Sequence, residues 1–407
     1  MPSYTRLCGR KYICNSPPDS STLNALIMFV VYGSKFTDYG ISQSMVHGAT
    51  RCSHQLGFCI LRDFGFVASK TDPSLFIYRA NYVLLYMLVY VDDIVITGTD
   101  STVIQQLMTH LRSKFALRDL GKLSYFLGLE VHYTVVGLQR KYILELLQRS
   151  GMSHAKPIAT PCTADQLIQS ASDLSPAFHD LGLYRSIVGG LQYLSFTRPD
   201  ISFVVNHVSQ FMHRPTDAHW LAVKRILRYL QGSITQGLLF QRSLKPQLHG
   251  YYDASFAYCP RDRKSISGFA VFYGQNLVSW STRKQKAVAR SSTECEYRAL
   301  ATLASEAIWL QALLTELGRS PSMAPVLWCD NLGATYLAHN PVFHTRSKHL
   351  EIEFHFVRDR VNKQQLHVRH LPATDQLAYV LTKPLSHQSF RNFCSKFHLT
   401  EVPLAGA

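Results

Sequence analysis

Val83-Leu-Leu-Tyr-Met-Leu-Val-Tyr-Val-Asp-Asp-Ile-Val-Ile-Thr97 is two apolar runs joined by a pair of aspartates. Val83–Val91 reads as a buried strand, and Ile94–Thr97 as its partner after a tight turn at Asp92-Asp93. Adjacent carboxylates are costly at the tip of an apolar hairpin unless water solvates them or a cation binds them. Phosphoryl transfer to a 3′-hydroxyl uses aspartate-held Mg²⁺ ions, because the metals stabilise both attacking and leaving oxygens. A plain β-turn is the other reading, since Asp is favoured in turns, and the pair by itself leaves both open.

Working outward, Thr102–Phe115 carries Val103, Ile104, Leu107, Met108, Leu111 and Phe115 at helical spacing. A polar, proline-bearing stretch from His154 to Phe178 reads as a connecting loop. Helical segments are expected around Tyr184–Phe196 and His219–Gly232; in the second, Lys224, Arg225 and Arg228 form either a solvated face or a phosphate grip. A boundary is expected near Ser243–Gln247. Beyond it come short strands (Leu248–Tyr252, Ser267–Tyr273, Leu277–Ser281), a long helix over Thr293–Leu317 and a strand at Val326–Cys329, the pattern of a mixed α/β layer. Residues 1–55 differ from the rest: they are rich in Ser, Thr, Gly and Cys and hold neither period for long.

Three further acids sit at suggestive places. Asp253 closes a short strand, Glu296 lies early in a helix, and Asp330 follows a strand. Each has a plainer reading, as a turn residue or as an acid favoured by the helix macrodipole. His349, Glu351, Glu353 and His355 alternate, which reads as one polar face of a surface element rather than a ligand cluster.

The chain of 407 residues has room for two or three domains. With 46% hydrophobic and 17% charged residues it is not a disordered polymer. A net charge of +15 suggests a polyanionic partner. Nine cysteines without a C-x-x-C pair argue against a zinc ribbon or a disulfide framework and fit a reducing compartment. The longest apolar run ends in two aspartates and is too short to span a bilayer. A soluble, intracellular protein without a membrane partner is therefore expected, in the cytoplasm or the nucleus.

Thr71-Asp-Pro-Ser-Leu-Phe76, Leu88-Val-Tyr-Val-Asp-Asp-Ile94, Leu117-Arg-Asp-Leu-Gly121 and Tyr125-Phe-Leu-Gly128 together resemble the palm of copia-type retrotransposon reverse transcriptases. Tyr184-Arg-Ser-x-Val-Gly189, Thr197-Arg-Pro-Asp200 and Ala222-Val-Lys-Arg-Ile-Leu-Arg-Tyr-Leu230 continue the likeness through thumb and connection. Ser279-Trp-Ser281, Arg290-Ser-Ser-Thr-Glu-Cys-Glu-Tyr-Arg-Ala-Leu300 and Trp328-Cys-Asp-Asn-Leu-Gly-Ala334 look like the RNase H domain that follows in such Pol polyproteins.

The resemblance implies an α/β (α+β) chain: a partial palm over 56–150, a helical thumb and connection over 151–247, and an RNase H-like mixed α/β domain over 248–397. It implies copying of RNA into DNA and cleavage of RNA in RNA–DNA hybrids. The partners would be a template-primer, dNTPs and the hybrid, and the cofactor Mg²⁺ or Mn²⁺. Asp92 and Asp93 would be polymerase metal ligands, and Asp253, Glu296 and Asp330 the RNase H ligands. Glu294 is the rival of Glu296, and residues two apart on a helix point about 200° apart, so both cannot face one site.

Two departures imply an impaired copy. The family's palm uses a third aspartate in Asp-Val-x-Asn-Ala-Phe, which nothing in residues 1–55 matches. The family's Gln-Pro-Pro-Gly-Phe, written with the codons CAG CCC CCC GGA TTC and read one base late, gives Ser-Pro-Pro-Asp-Ser, which is Ser16–Ser20. An out-of-frame reading over roughly residues 9–55 is therefore expected. The family also completes its RNase H site with an aspartate in Gln-Leu-Ala-Asp-x-Leu-Thr-Lys, where this chain reads Gln376-Leu-Ala-Tyr379-Val-Leu-Thr-Lys383. Tyrosine is neutral at pH 7 and a poor Mg²⁺ ligand. Asp375, one helical turn earlier, would partly replace the missing acid if that turn is already helical.

Overall fold

The computed structural model describes residues 11–16, 60–90, 93–115, 117–123, 125–126, 129–131, 135–165, 175–241, 243, 246–339 and 350–401. Packing divides the chain into two units, Met1–Val136 with Ala312–Ser320, and Gly137–Gln311 with Pro321–Ala407.

The first unit is built on a six-stranded sheet: β1 Lys11–Ser16, β2 Val67–Ala68, β3 Leu75–Ala80, β4 Val83–Tyr90, β5 Asp93–Gly98 and β6 Leu117–Lys122, in the order β2-β3-β4-β5-β1-β6. The quoted hairpin is its centre, with Tyr90 opposite Asp93 and Leu85 opposite Gly98 in antiparallel register. Its apolar side chains Leu85, Met87, Ile94 and Ile96 are buried because helix α1, Ser101–Arg112, lays its stripe of Ile104, Leu107, Met108 and Leu111 against them. Asp100 starts that helix by accepting from the backbone N–H groups of Thr102 and Val103. A short hairpin, β7 Tyr125–Phe126 and β8 Leu129–Val131, and a strand β9 Val135–Leu138 follow.

The second unit opens with helices α2 Arg140–Arg149, α3 Leu181–Leu194, α4 Ser202–Ser209 and α5 Asp217–Gln231. Strand β10, Gln236–Leu239, pairs antiparallel with the last strand of the chain, Leu399–Glu401. Then come β11 Leu248–Ser255, β12 Ile266–Tyr273, β13 Asn276–Lys284, helix α6 Ser292–Glu316, β14 Val326–Cys329, α7 Leu332–His339, α8 Glu351–Asn362, β15 His367–His370 and α9 His387–Lys396. The five strands β11–β15 form one sheet in the order β13-β12-β11-β14-β15. The first three are antiparallel, and β14 and β15 add in parallel beside β11. This is the mixed α/β layer of the RNase H fold, and the helix between β13 and β14 supplies the crossover that a parallel neighbour requires.

Contacts within this unit run across the stretch 243–247 that the sequence reads as a boundary. Trp280 Nε1 donates to Ser195 O at 3.0 Å, Asn206 Nδ2 donates to Thr282 O at 3.1 Å, and the rings of Tyr229 and Phe390 meet edge-on. At the heart of the helical part, Arg198 is wholly buried and every arm of its guanidinium is used. Nε and Nη2 donate to Asp200, and Nη1 and Nη2 donate to the carbonyl and hydroxyl of Ser233. Thr197-Arg-Pro-Asp200 is thus a core ion pair, which survives burial because its hydrogen bonds are complete.

Two arginines of the basic face of α5 hold the loop before it. Arg225 donates to the carbonyl and hydroxyl of Thr160, and Arg228 to the carbonyl of Lys156, so these guanidinia pin the preceding loop. The alternation around Glu353 is corrected: Glu351, Glu353 and His355 lie on helix α8, where residues two apart do not share a face, and His349 lies outside the described residues. Among the described residues no helix is long and apolar enough to cross a membrane.

Candidate metal centre

Asp253 sits within β11 rather than at its end, paired across the sheet with Gly268. Its neighbour Tyr252 points to the opposite face and is fully buried, and alternation therefore presents Asp253 on the other side. Asp330 follows the last residue of β14, the strand hydrogen-bonded beside β11. Glu296 lies in the first turns of α6. One carboxylate oxygen from each of the three comes within 4.8 Å of the others, and among the described residues this is the group of acids that could hold a metal ion.

The helix rotation separates the two candidate glutamates. Glu294 accepts from the Arg290 N–H at 2.8 Å and pairs with Arg298 one turn on at 2.8 Å. Glu296 is about equally buried, 6% exposed against 5% for Glu294, but it is the one whose carboxylate meets those of Asp253 and Asp330, and its Oε2 has no hydrogen-bond partner among the described residues. Burial and then the charges of Asp253 and Asp330 push its carboxyl well above the ordinary range. Burial likewise raises Asp253, against the opposing pull of the Lys383 ammonium. Three acids this close, two of them buried, cost free energy as they stand, and an orphaned buried oxygen is what a cation would satisfy. The donor set is all carboxylate oxygen, which suits a hard divalent cation.

The fourth wall is the segment Gln376–Lys383. Gln376 is fully buried and its amide donates to the Tyr252 carbonyl at 2.9 Å, with Asp330 Oδ1 at 3.5 Å. Its side-chain oxygen accepts from the Ala378 N–H and starts a 3-10 helix, Leu377–Leu381. Thr382 donates its hydroxyl to Asp253 Oδ2, and the Lys383 ammonium lies 3.5 Å from the same oxygen. Tyr379 donates its hydroxyl to Asp330 Oδ2 at 2.5 Å, and Lys383 lies 3.5 Å above the centre of its ring. Burial and the adjoining carboxylates raise the phenol above its ordinary value, so Tyr379 is a neutral donor here.

Asp375 does not take the missing acid's place. The backbone is extended at Gln376, which breaks the chain into two separate 3-10 turns, and Asp375 is exposed, 4.0 Å from Lys396. Thr382, Lys383 and Gln376 were present in the sequence only as letters of a motif, and their contacts to the acids appear once the segment folds against β11 and β14. In the first unit, Asp93 opens β5 at the hairpin tip. Asp92 lies outside the described residues, as does most of the stretch 1–55.

A family model described as reverse transcriptase (RNA-dependent DNA polymerase) matches residues 34–164, a span that begins upstream of Leu56. The chain is 48% identical over 346 residues to the retrovirus-related Pol polyprotein from transposon RE1 of Arabidopsis thaliana, covering 84% of this chain and 24% of that protein. It is 30% identical over 244 residues to the putative transposon Ty5-1 protein of Saccharomyces cerevisiae, covering 58% of this chain and 78% of that one. The solved foamy viral protease-reverse transcriptase in complex with RNA/DNA hybrid aligns over 74% of this chain and 37% of its own, at 15% identity and a TM-score of 0.40. The chain spans about a quarter of the length of the Pol polyproteins it matches.

Proposed function

This chain belongs to the copia-type retrotransposon Pol family, in its reverse transcriptase and RNase H region, and from that premise we propose that its second unit binds RNA–DNA hybrids and retains an impaired RNase H site. The observation that carries this reading is the convergence of Asp253, Glu296 and Asp330 to within 4.8 Å, with a buried carboxylate oxygen that has no hydrogen-bond partner among the described residues. These three would hold Mg²⁺ or Mn²⁺. When bound, such an ion supplies charge neutralisation of the scissile phosphate and a more acidic attacking water.

The chain's own residues do the rest. Thr382 fixes the orientation of Asp253, and Gln376 ties the wall segment to the β11 backbone. The net charge of +15 favours a polyanionic substrate. Tyr379 weakens hydrolysis: where relatives are expected to carry an aspartate, a neutral phenol faces Asp330.

For the first unit, Asp92 and Asp93 would serve DNA synthesis on a template-primer with dNTPs. The absence of the family's Asp-Val-x-Asn-Ala-Phe stretch from the sequence leaves that site short of a carboxylate. No primer extension is expected from the full chain, and efficient extension would refute this part.

The direct test is cleavage of an RNA–DNA hybrid in Mg²⁺ by the full chain, beside Tyr379→Asp and Asp253→Asn. Weak cleavage that rises in Tyr379→Asp and disappears in Asp253→Asn supports the reading. Strong cleavage by the unaltered chain, unchanged in Tyr379→Asp, overturns the impairment. Tight hybrid binding with no cleavage in any version favours a non-catalytic binding remnant.

A further inference from the structure

We propose that Tyr379 acts as an internal plug of the acid site, so that the chain's own groups compete with a divalent cation for Asp330 and Asp253. The proposal rests on reading the three acids as a divalent-cation site. An absent ligand and an internal competitor are different things. A missing aspartate would leave Asp330 facing the site with lone pairs to offer. Here Asp330 already has a donor in Tyr379, beside the Thr382 and Lys383 contacts on Asp253.

Tyr379 donates a hydrogen bond from its hydroxyl to Asp330 Oδ2 at 2.5 Å. Its ring is also the floor on which the Lys383 ammonium rests, 3.5 Å from the centroid. That ammonium reaches Asp253 Oδ2 at 3.5 Å, and Thr382 donates to the same oxygen. One aromatic side chain therefore occupies Asp330 directly and supports the cation that neutralises Asp253. Glu296 Oε2 is the carboxylate oxygen of the group left without a hydrogen-bond partner among the described residues.

The plug is well anchored. The segment behind it is held by Thr282 Oγ1 donating to the Leu381 carbonyl at 2.9 Å and Ser255 Oγ donating to the Thr382 carbonyl at 2.9 Å. Tyr379 cannot leave Asp330 by a simple drift of its backbone. A cation must instead break the phenol–carboxylate bond, and a charge-assisted hydrogen bond of this kind is equivalent to about tenfold or more in affinity.

Tyr379→Phe separates the two accounts, because it keeps the ring under Lys383 and removes only the donor. The probe is Mn²⁺, with the free ion followed by electron paramagnetic resonance. The full chain is compared with Tyr379→Phe, Tyr379→Leu, Tyr379→Asp and Asp253→Asn, and the Mn²⁺-dependent rise in Tm is the second measurement on each. The plug predicts that Tyr379→Phe and Tyr379→Leu each bind Mn²⁺ about tenfold or more tighter than the unaltered chain. It also predicts the larger Mn²⁺-dependent rise in Tm for those two, and the weakest binding in Asp253→Asn. Tyr379→Phe and Tyr379→Leu that bind like the unaltered chain, while Tyr379→Asp binds tighter, overturn the plug and leave the cation site standing. No Mn²⁺ binding in any version, Tyr379→Asp included, overturns the cation site and the plug with it.

Discussion

The hydroxyl of Tyr379 lies 2.5 Å from Oδ2 of Asp330, across a separation of 49 residues in the chain. That bond ties a 3-10 turn near the C-terminus to the end of a central strand, at the point where three acids meet. It makes the candidate centre a place where stability and chemistry pull against each other.

Glu296 shows the opposition most directly. Its carboxyl is raised well above its ordinary value by burial and by Asp253 and Asp330. At low pH both folded and unfolded chains carry the proton and nothing is lost. As pH rises through the ordinary glutamate range the unfolded chain ionises first, and folding loses free energy until the raised value is passed. Glu296→Gln removes that cost, so it should stabilise the protein near pH 7 and give little gain near pH 4. Denaturant unfolding at the two pH values decides it, and equal offsets at both would sink the idea.

Arg198 and Asp200 form a fully buried pair, each side chain 1% exposed. Arg198→Met leaves Asp200 with the Tyr229 hydroxyl but without its cation, at an expected cost of about 3–5 kcal/mol. Arg198→Lys should recover little, because an ammonium cannot reach Asp200 and both Ser233 acceptors in the guanidinium's geometry. Thermal unfolding is the readout. A loss below about 1 kcal/mol in Arg198→Met would show that the pair is not stabilised as described.

His207 gives a pH dependence of the other sign. Burial, with His219 and Lys284 nearby, pushes its imidazole down to about 4. The folded protein keeps it neutral, so its share of stability is complete above its ordinary value near 6.5 and drains away as pH falls toward 4. Relative to His207→Gln, the unaltered chain should lose roughly 3 kcal/mol across that window. Parallel stability curves for the two proteins between pH 7 and pH 4 would be the contrary result.

Gly268 lies opposite Asp253 in the sheet, and a Cβ there would stand 2.7 Å from Leu381 Cβ and 2.8 Å from Thr382 Cγ2. Gly268→Ala should push the wall segment off the sheet, costing about 1–3 kcal/mol. It should also abolish any hybrid cleavage gained by Tyr379→Asp. Gly250→Ala on the same sheet meets the side chain of Leu303, away from the wall segment, and should keep that gain. Equal cleavage by the two double variants would show that the wall segment does not position the site.

Much of this architecture was legible from residue order. The hairpin around Asp93 and helix α1 follow from apolar spacing, and the strands, long crossover helix and acids of the second unit appear in the order the structure shows. Those features are local: periods of two and 3.6 report which face a residue takes, and turn chemistry reports where an element stops. The departure at Tyr379 was equally visible, because a neutral aromatic stands where a family motif has an acid. What periodicity could not report is which side chains meet across the sheet. The meeting of Glu296 rather than Glu294 with Asp253 and Asp330, the break at Gln376 that sends Asp375 to solvent, and the phenol on Asp330 each depend on register between segments tens of residues apart. Register is decided by packing of the whole unit, where burial of Gln376, Thr382 and Leu381 against β11 and β12 selects one arrangement. By itself the sequence determined the elements and the acids they carry; only the tertiary structure decided that one tyrosine sits among those acids as their hydrogen-bond donor.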